Sequence, residues 1–190
     1  MDWSSFYRQE QGTGDPRNVR SEEWQEGLAT KIRGLGAKRI LEAGCGYGVT
    51  SLLAGGGEGE RVLLDREGKA LEQAKRIFAL RQEQGEFVAG DLFRLPFRDC
   101  CFEVVFNSGV LEHFAYEQRT AAVAEMLRVT GPGGTVMIGV PNHYSRPYRQ
   151  AYLYRQKRKQ WPYPDEHRIY DFSGELEGTG VKVRARRETV

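Results

Sequence analysis

Three acidic residues and a run of glycines carry the chemistry in this sequence. Glu42 precedes Ala43-Gly44-Cys45-Gly46-Tyr47-Gly48, where glycine recurs at every second position. Glycine permits positive φ and lets backbone approach a ligand with no Cβ in the way. A helix that starts behind such a turn aims free N–H groups at an anionic ligand. Asp65 follows about 20 residues later, where an acid can accept two ribose hydroxyls. An acid there argues against a phosphate on that ribose. Asp91 comes next, after Gly90. The dinucleotide fingerprint Gly-x-Gly-x-x-Gly is incomplete, because Val49 stands where its third glycine would be.

The elements around these residues alternate. A helix is expected from Ser21 to the Gly34–Gly36 break, with Trp24, Leu28 and Ile32 on one face. Strands are read at 39–43, 61–65, 86–89, 102–106 and 135–140. Helices are read at 49–54, at 67–82 with Ala70, Leu71, Ala74, Ile77, Phe78 and Arg81 at helical spacing, and at 117–129 with Ala121, Ala124, Met126 and Leu127 inward. Residues 107–114 are read as a loop, and Gly131-Pro-Gly-Gly as a break. This rhythm predicts an α/β, Rossmann-like three-layer sandwich: a mostly parallel sheet with helices on both faces. Right-handed crossovers place the strand C-termini on one rim, where ligands bind in such sheets. The glycine turn, Asp65, Asp91 and Asn107 all fall on that rim.

With 190 residues, 39% hydrophobic and 28% charged, the chain reads as one globular domain. No apolar run approaches the about 20 residues of a membrane span, and the first residues have no apolar signal core. The expected location is cytoplasmic. Net charge is +2, which implies no polyanion partner for the chain as a whole. Cys45, Cys100 and Cys101 lack the spacing of a structural zinc site, and no metal site is read from the sequence.

The order and spacing of Glu42-Ala-Gly-Cys-Gly-Tyr-Gly, Asp65, Gly90-Asp91-Leu92, Phe102-Glu-Val-Val-Phe-Asn107 and Leu127-Arg-Val-Thr-Gly-Pro-Gly-Gly134 resemble class I S-adenosylmethionine-dependent methyltransferases. The similarity is to the "methyltransferase domain 11" group, of which Leu111-Glu112-His113 is typical, and it spans about Leu35 to Val140. The resemblance implies an enzyme that moves a methyl group from S-adenosylmethionine to a small-molecule acceptor by in-line displacement. It implies that backbone around Gly44 and Gly46 lies against the methionine part, and that Glu42 neutralises the ammonium. Asp65 would bind the ribose, Asp91 the adenine amine with Leu92 backbone nearby, and Asn107 the methionine end through its carbonyl. Cys45, Gly48 and Arg66 belong to the same expected set. Where a proton must be taken from the acceptor, His113 is the first candidate and His167 the second. His143 is read as exposed and given no role.

The segment from Asn142 to Pro164 carries six Arg or Lys side chains and no carboxylate, interleaved with tyrosines and Trp161. It is read as a lid with Tyr144, Tyr148 and Tyr152 on one helical face, or as a substrate pocket. The alternative is an RNA-binding surface. Trp3, Phe6 and Tyr7 are expected to anchor an N-terminal arm (1–34 with its helix) over the core (35–140), followed by the lid (141–170) and a C-terminal strand region (171–190). A short helix is read near 173–177 and a last strand at 181–186. The family usually has further strands, so a shortened sheet is expected, with an edge that a partner or second copy would cover. A non-catalytic cofactor-binding protein is the competing class of function.

Overall fold

Short apolar strands separated by glycine turns and amphipathic helices leave one economical arrangement, and the computed structural model has it. The structure describes Trp3, Phe6, Tyr7 and residues 23–55 and 59–182. Five strands form one parallel sheet: β1 (Arg39–Ala43), β2 (Glu60–Asp65), β3 (Glu86–Ala89), β4 (Phe102–Ser108) and β5 (Thr130–Gly139), in the order β3-β2-β1-β4-β5. The chain runs outward from β1 through β2 to β3, then returns to β4 on the other side of β1. The topological switch point therefore lies between the C-terminal ends of β1 and β4, where open α/β sheets bind ligands.

The two faces of the sheet follow from strand alternation. Ile40, Val104 and Phe106 pack on α1 (Glu23–Gly34) through Leu28, Ala29 and Ile32, and on Ala54 of α2 (Val49–Ala54). Leu63 on the same face meets Leu71 and Phe78 of α3 (Gly68–Leu80). Leu41, Val62, Leu64 and Val105 point the other way, onto α4 (Tyr116–Val129). The inward stripe of α4 is Ala122, Val123, Met126 and Val129. Only Met126 of the four residues expected inward is buried; Ala121 and Ala124 are exposed. Alanine marks either face of a helix equally well, so Val123 and Val129 were the informative positions. In α3 five of the six expected residues are buried; Arg81 caps the helix end and is exposed.

Three elements differ from expectation. β4 runs two residues further, to Ser108, because Asn107 and Ser108 pair with Ile138 and Gly139 of β5. β5 begins at Thr130, with its register broken between Phe102 and Val104 so that Gly131–Gly134 is absorbed as an irregularity instead of a loop. Residues 173–177 form turns in place of a helix. They are held to α4 by a buried Arg119–Glu175 ion pair of 2.8 Å. Val181 and Lys182 are not in a strand; the rest of that expected strand, like the Ser21–Glu22 helix start, lies outside the described residues. Beyond β5, α5 (Arg146–Lys157) forms the body of the lid segment. No helix among the described residues is long and apolar enough to cross a membrane.

Gly48 is the glycine this packing needs most. Its φ is +70°, and an added Cβ would sit 2.5 Å from Leu63 Cδ2 and 3.1 Å from Phe78 Cε2. Left-handed strain and overpacking add, so Gly48→Ala is expected to cost about 3 kcal/mol in chemical denaturation. Gly34→Ala, with nothing within 4 Å of the new methyl, is the control and should be neutral or stabilising. Equal effects at both positions would contradict this packing.

Candidate functional site

The glycine turn is held at both ends by β2. Gly44 N–H and Cys45 N–H both donate to Leu64 O, at 2.8 and 2.9 Å. Gly46 N–H donates to Asp65 Oδ2 at 2.8 Å, and Glu67 N–H donates to Asp65 Oδ1 at 2.9 Å. Asp65 thus braces the turn and the entry to α3 with one carboxylate. Burial raises its pKa above the usual carboxylate value, with the two backbone donors opposing that shift. Gly44, Gly46 and Gly48 all have positive φ, which is why the alternating glycines are required. Cys45 is buried beneath them, and burial pushes its thiol pKa up.

Glu42 sits on the α1–α3 face of β1, one turn below α2. Ser51 N–H donates to its Oε2 at 3.2 Å. No Arg or Lys among the described residues forms a salt bridge with it. Burial pushes its pKa up to about 8, as expected for a carboxylate desolvated without a cation. Asp91 is exposed beside the cleft; its Oδ1 accepts Phe93 N–H at 2.9 Å, leaving the other oxygen to face outward. Leu92 is buried next to it. Arg66 lines the same cleft and pairs with Glu67 at 3.3 Å.

Asn107 departs from expectation. It is a fully buried strand residue whose side-chain amide donates to Ala43 O, so it locks β4 to β1 at the switch point. The backbone that meets the cleft is Ser108-Gly109-Val110. Sequence placed the strand end two residues too early, because asparagine normally marks a loop.

The cleft is continuous, about 2600 Å³, and runs from the glycine turn past Asp91 and along β5 to α5. That exceeds the about 300–1,000 Å³ of a single small-molecule pocket. Aromatic side chains partly roof it. Trp3 meets the His113 ring edge-on at 5.0 Å, Phe6 meets Tyr163 at 5.4 Å, and Tyr7 meets Tyr47 at 5.3 Å. A Cβ on Gly46 would lie 2.8 Å from the Tyr7 hydroxyl. Of the three expected anchors of the N-terminal arm, Tyr7 lies over the glycine turn, and Trp3 and Phe6 lie against His113 and Tyr163; the rest of residues 1–20 lies outside the described residues. From the lid, Tyr148 and Tyr152 face inward around His143, whereas Tyr144 is exposed and packs on Tyr170.

The histidines sort differently from the sequence reading. His113 ends a 3₁₀ turn (Leu111–His113) after β4 and lines the cleft. Its Nδ1 lies 3.2 Å from Asp165 O, and burial lowers its pKa. His167 is exposed and lies outside the cleft lining; only its backbone is engaged, donating to Glu112 O at 2.7 Å. His143, read as exposed, is buried and bonded to Glu166 at 2.8 Å. Residue-type reasoning also passed over Glu112 and Glu166, two carboxylates with nearly buried side chains facing the cleft beside His113. The signal was an acid directly before each of two candidate histidines.

A methyltransferase-domain family model matches residues 40–134, half of the chain. The chain is 31% identical over 130 residues to a demethylmenaquinone methyltransferase of Renibacterium salmoninarum, covering 68% of this chain and 52% of that protein. It is 30% identical over 118 residues to a malonyl-[acyl-carrier protein] O-methyltransferase of Serratia marcescens, covering 60% and 44%. It thus spans about half the length of these curated relatives. A structure solved for the conversion of a disulfide bond into a thioacetal group during echinomycin biosynthesis superposes with a TM-score of 0.70 at 24% identity, over 93% of this chain and 76% of that one; this likeness shows the fold. The glycine turn, its Asp65 brace and strands β2, β3 and β4 fall inside the matched span, and the chain belongs to the methyltransferase domain family.

Proposed function

We propose that this domain transfers a methyl group from S-adenosylmethionine to a small-molecule acceptor bound beneath the aromatic roof. The observation that carries this is Glu42: a buried carboxylate with no cationic partner among the described residues, beside the glycine turn and in one cleft with Asp65 and Asp91. That donor set fits a ligand with an ammonium at one end, two hydroxyls in the middle and an amine at the other. Glu42 takes the ammonium. Asp65 accepts the ribose hydroxyls with the lone pairs that Gly46 and Glu67 leave free. The outward oxygen of Asp91 accepts from the adenine amine, with Leu92 and Arg66 alongside. Backbone of Gly44, Cys45, Gly46 and Gly48 lies along the methionine part, and Ser108-Gly109 takes the place first given to Asn107.

S-adenosylmethionine, when bound, supplies an electrophilic methyl group on a sulfonium. The work left to the protein is alignment and exclusion of water more than strong acid–base chemistry. The roof of Trp3, Phe6, Tyr7 and Tyr163 excludes water. His113 is held by Asp165 O, and its Nε2 faces Glu112 at 3.8 Å; these groups position the acceptor.

Turnover of S-adenosylmethionine against a panel of small acceptors is expected to be acceptor-dependent. His113→Gln should lower kcat at least tenfold with cofactor affinity unchanged. Cofactor binding without turnover on any acceptor would favour a purely binding protein. The raised pKa of Glu42 gives a second test, with two opposite signs. An acid whose folded pKa is about 8 contributes stability that is present at low pH and is lost as pH rises from about 4.5 toward 8, so the ligand-free protein should melt higher at pH 6 than at pH 8. Ammonium binding needs the carboxylate, so calorimetric affinity for S-adenosylhomocysteine should fall by up to about tenfold per unit from pH 7.5 to 6. Glu42→Gln should flatten both profiles; an affinity independent of pH in the unmodified protein would remove Glu42 from the ammonium site.

A further inference from the structure

We propose that Glu112, His113 and Glu166 form a binding site for one divalent transition-metal cation at the acceptor end of the cleft. One ligand atom from each of the three lies within 4.8 Å of the others. Donors about 2.1 Å from a common ion lie about 3–4 Å from one another, so a small inward movement of side chains closes the site. The Glu112–His113 pair, at 3.8 Å, already falls in that range.

The groups around the three residues are oriented as they are around metal ligands. Asp165 O can only accept, so the 3.2 Å contact requires the proton of His113 on Nδ1. Its Nε2 then presents a lone pair toward the Glu112 carboxylate. A ligating histidine is usually fixed in this way, through a carbonyl on its other nitrogen. Glu166 is fixed too. Arg149 can only donate, so its 3.2 Å contact makes His143 Nδ1 an acceptor and leaves His143 Nε2–H to donate to Glu166 Oε2 at 2.8 Å. Tyr148 O–H donates to the same oxygen at 2.9 Å.

Among the described residues, no Arg or Lys forms an ion pair with Glu112 or Glu166. Glu112 is buried, and its Oε2 has no hydrogen-bond partner. Arg149 touches the far side of His143 and neither carboxylate. The three ligand atoms converge on one point, and a divalent cation there would be bound by both carboxylates and the imidazole lone pair, displacing any proton they hold. The mixed oxygen and nitrogen donors suit manganese or zinc better than calcium or magnesium. A protonated amine would answer the carboxylates as well, but the outward-fixed imidazole lone pair favours a metal. The cation would leave coordination positions open to an acceptor oxygen. That use rests on the methyl-transfer reading; the site itself does not.

The test is binding of Mn²⁺ alone to the full chain, followed by electron paramagnetic resonance and calorimetry. The expected result is one ion per chain, binding weakened at least 100-fold in Glu112→Gln and in His113→Gln, and about tenfold in Tyr148→Phe, which removes only a supporting donor. Circular dichroism establishes that each variant is folded. Should Glu112→Gln fail to fold, His113→Gln and Tyr148→Phe carry the comparison. No binding of Mn²⁺ or Zn²⁺ at millimolar concentration overturns the proposal. So does binding that neither variant alters. Stabilisation by methylammonium, but by neither metal, overturns it in favour of an amine site.

Discussion

The carboxylate of Asp65 is the interaction on which the cofactor end of this molecule depends. It gathers the N–H of Gly46 and the N–H of Glu67, and so joins the turn after β1 to the turn after β2. Hydrogen bonds to a charged acceptor contribute about 1.5–3 kcal/mol each, but burial of the carboxylate opposes them. The raised pKa shows burial to be the stronger effect in the free protein. The turn is therefore held in its ligand-binding shape at a cost in stability. Gly44 and Cys45 share the remaining constraint, both donating to Leu64 O. With the ends of β1 and β2 fixed, the position of Glu42 follows, because it is one residue before Ala43 and alternates onto the α2 face.

The rim residues were legible in the sequence because each is tied to a strand end, and strand ends show as a change from apolar runs to Gly, Asp or Asn. Asp65 and Asp91 stand where the period-2 pattern predicts. Asn107 shows the limit. Its type signals a loop, yet its amide is the bond between β4 and Ala43 and the ladder continues beyond it. Local residue preference lost to strand pairing that only the neighbouring strand could reveal. The same holds for Gly131–Gly134, which breaks any local pattern but is carried as an irregularity between the Phe102–Thr130 and Val104–Thr135 pairs.

The acceptor end was far less legible, because it is assembled from segments distant in sequence. Trp3 reaches His113, Asp165 fixes the His113 ring, and His143 holds Glu166. No spacing rule connects residues 3, 113, 143 and 166. His143 and His167 illustrate the consequence. Each is flanked by polar residues, so sequence gives no reason to bury one and expose the other. The structure buries His143 between Tyr148 and Tyr152 and leaves His167 outside. Basic residues of the lid segment remain largely at its surface with Tyr144, Tyr154 and Tyr163, while Tyr148 and Tyr152 pack on His143 and Trp161 packs on Tyr152. The inward face of that segment is thus aromatic and acidic, a chemistry suited to a small acceptor more than to a nucleic-acid backbone.

The most direct measurement is calorimetric titration of the unmodified chain and of Asp65→Ala with S-adenosylhomocysteine and, separately, with NAD. If Asp65 both braces the turn and receives the ribose, the unmodified chain binds S-adenosylhomocysteine and not NAD. The folded variant then loses at least about 100-fold in affinity, two charge-assisted hydrogen bonds being worth about 3 kcal/mol or more. Unchanged affinity in Asp65→Ala, or equal binding of NAD, would contradict it.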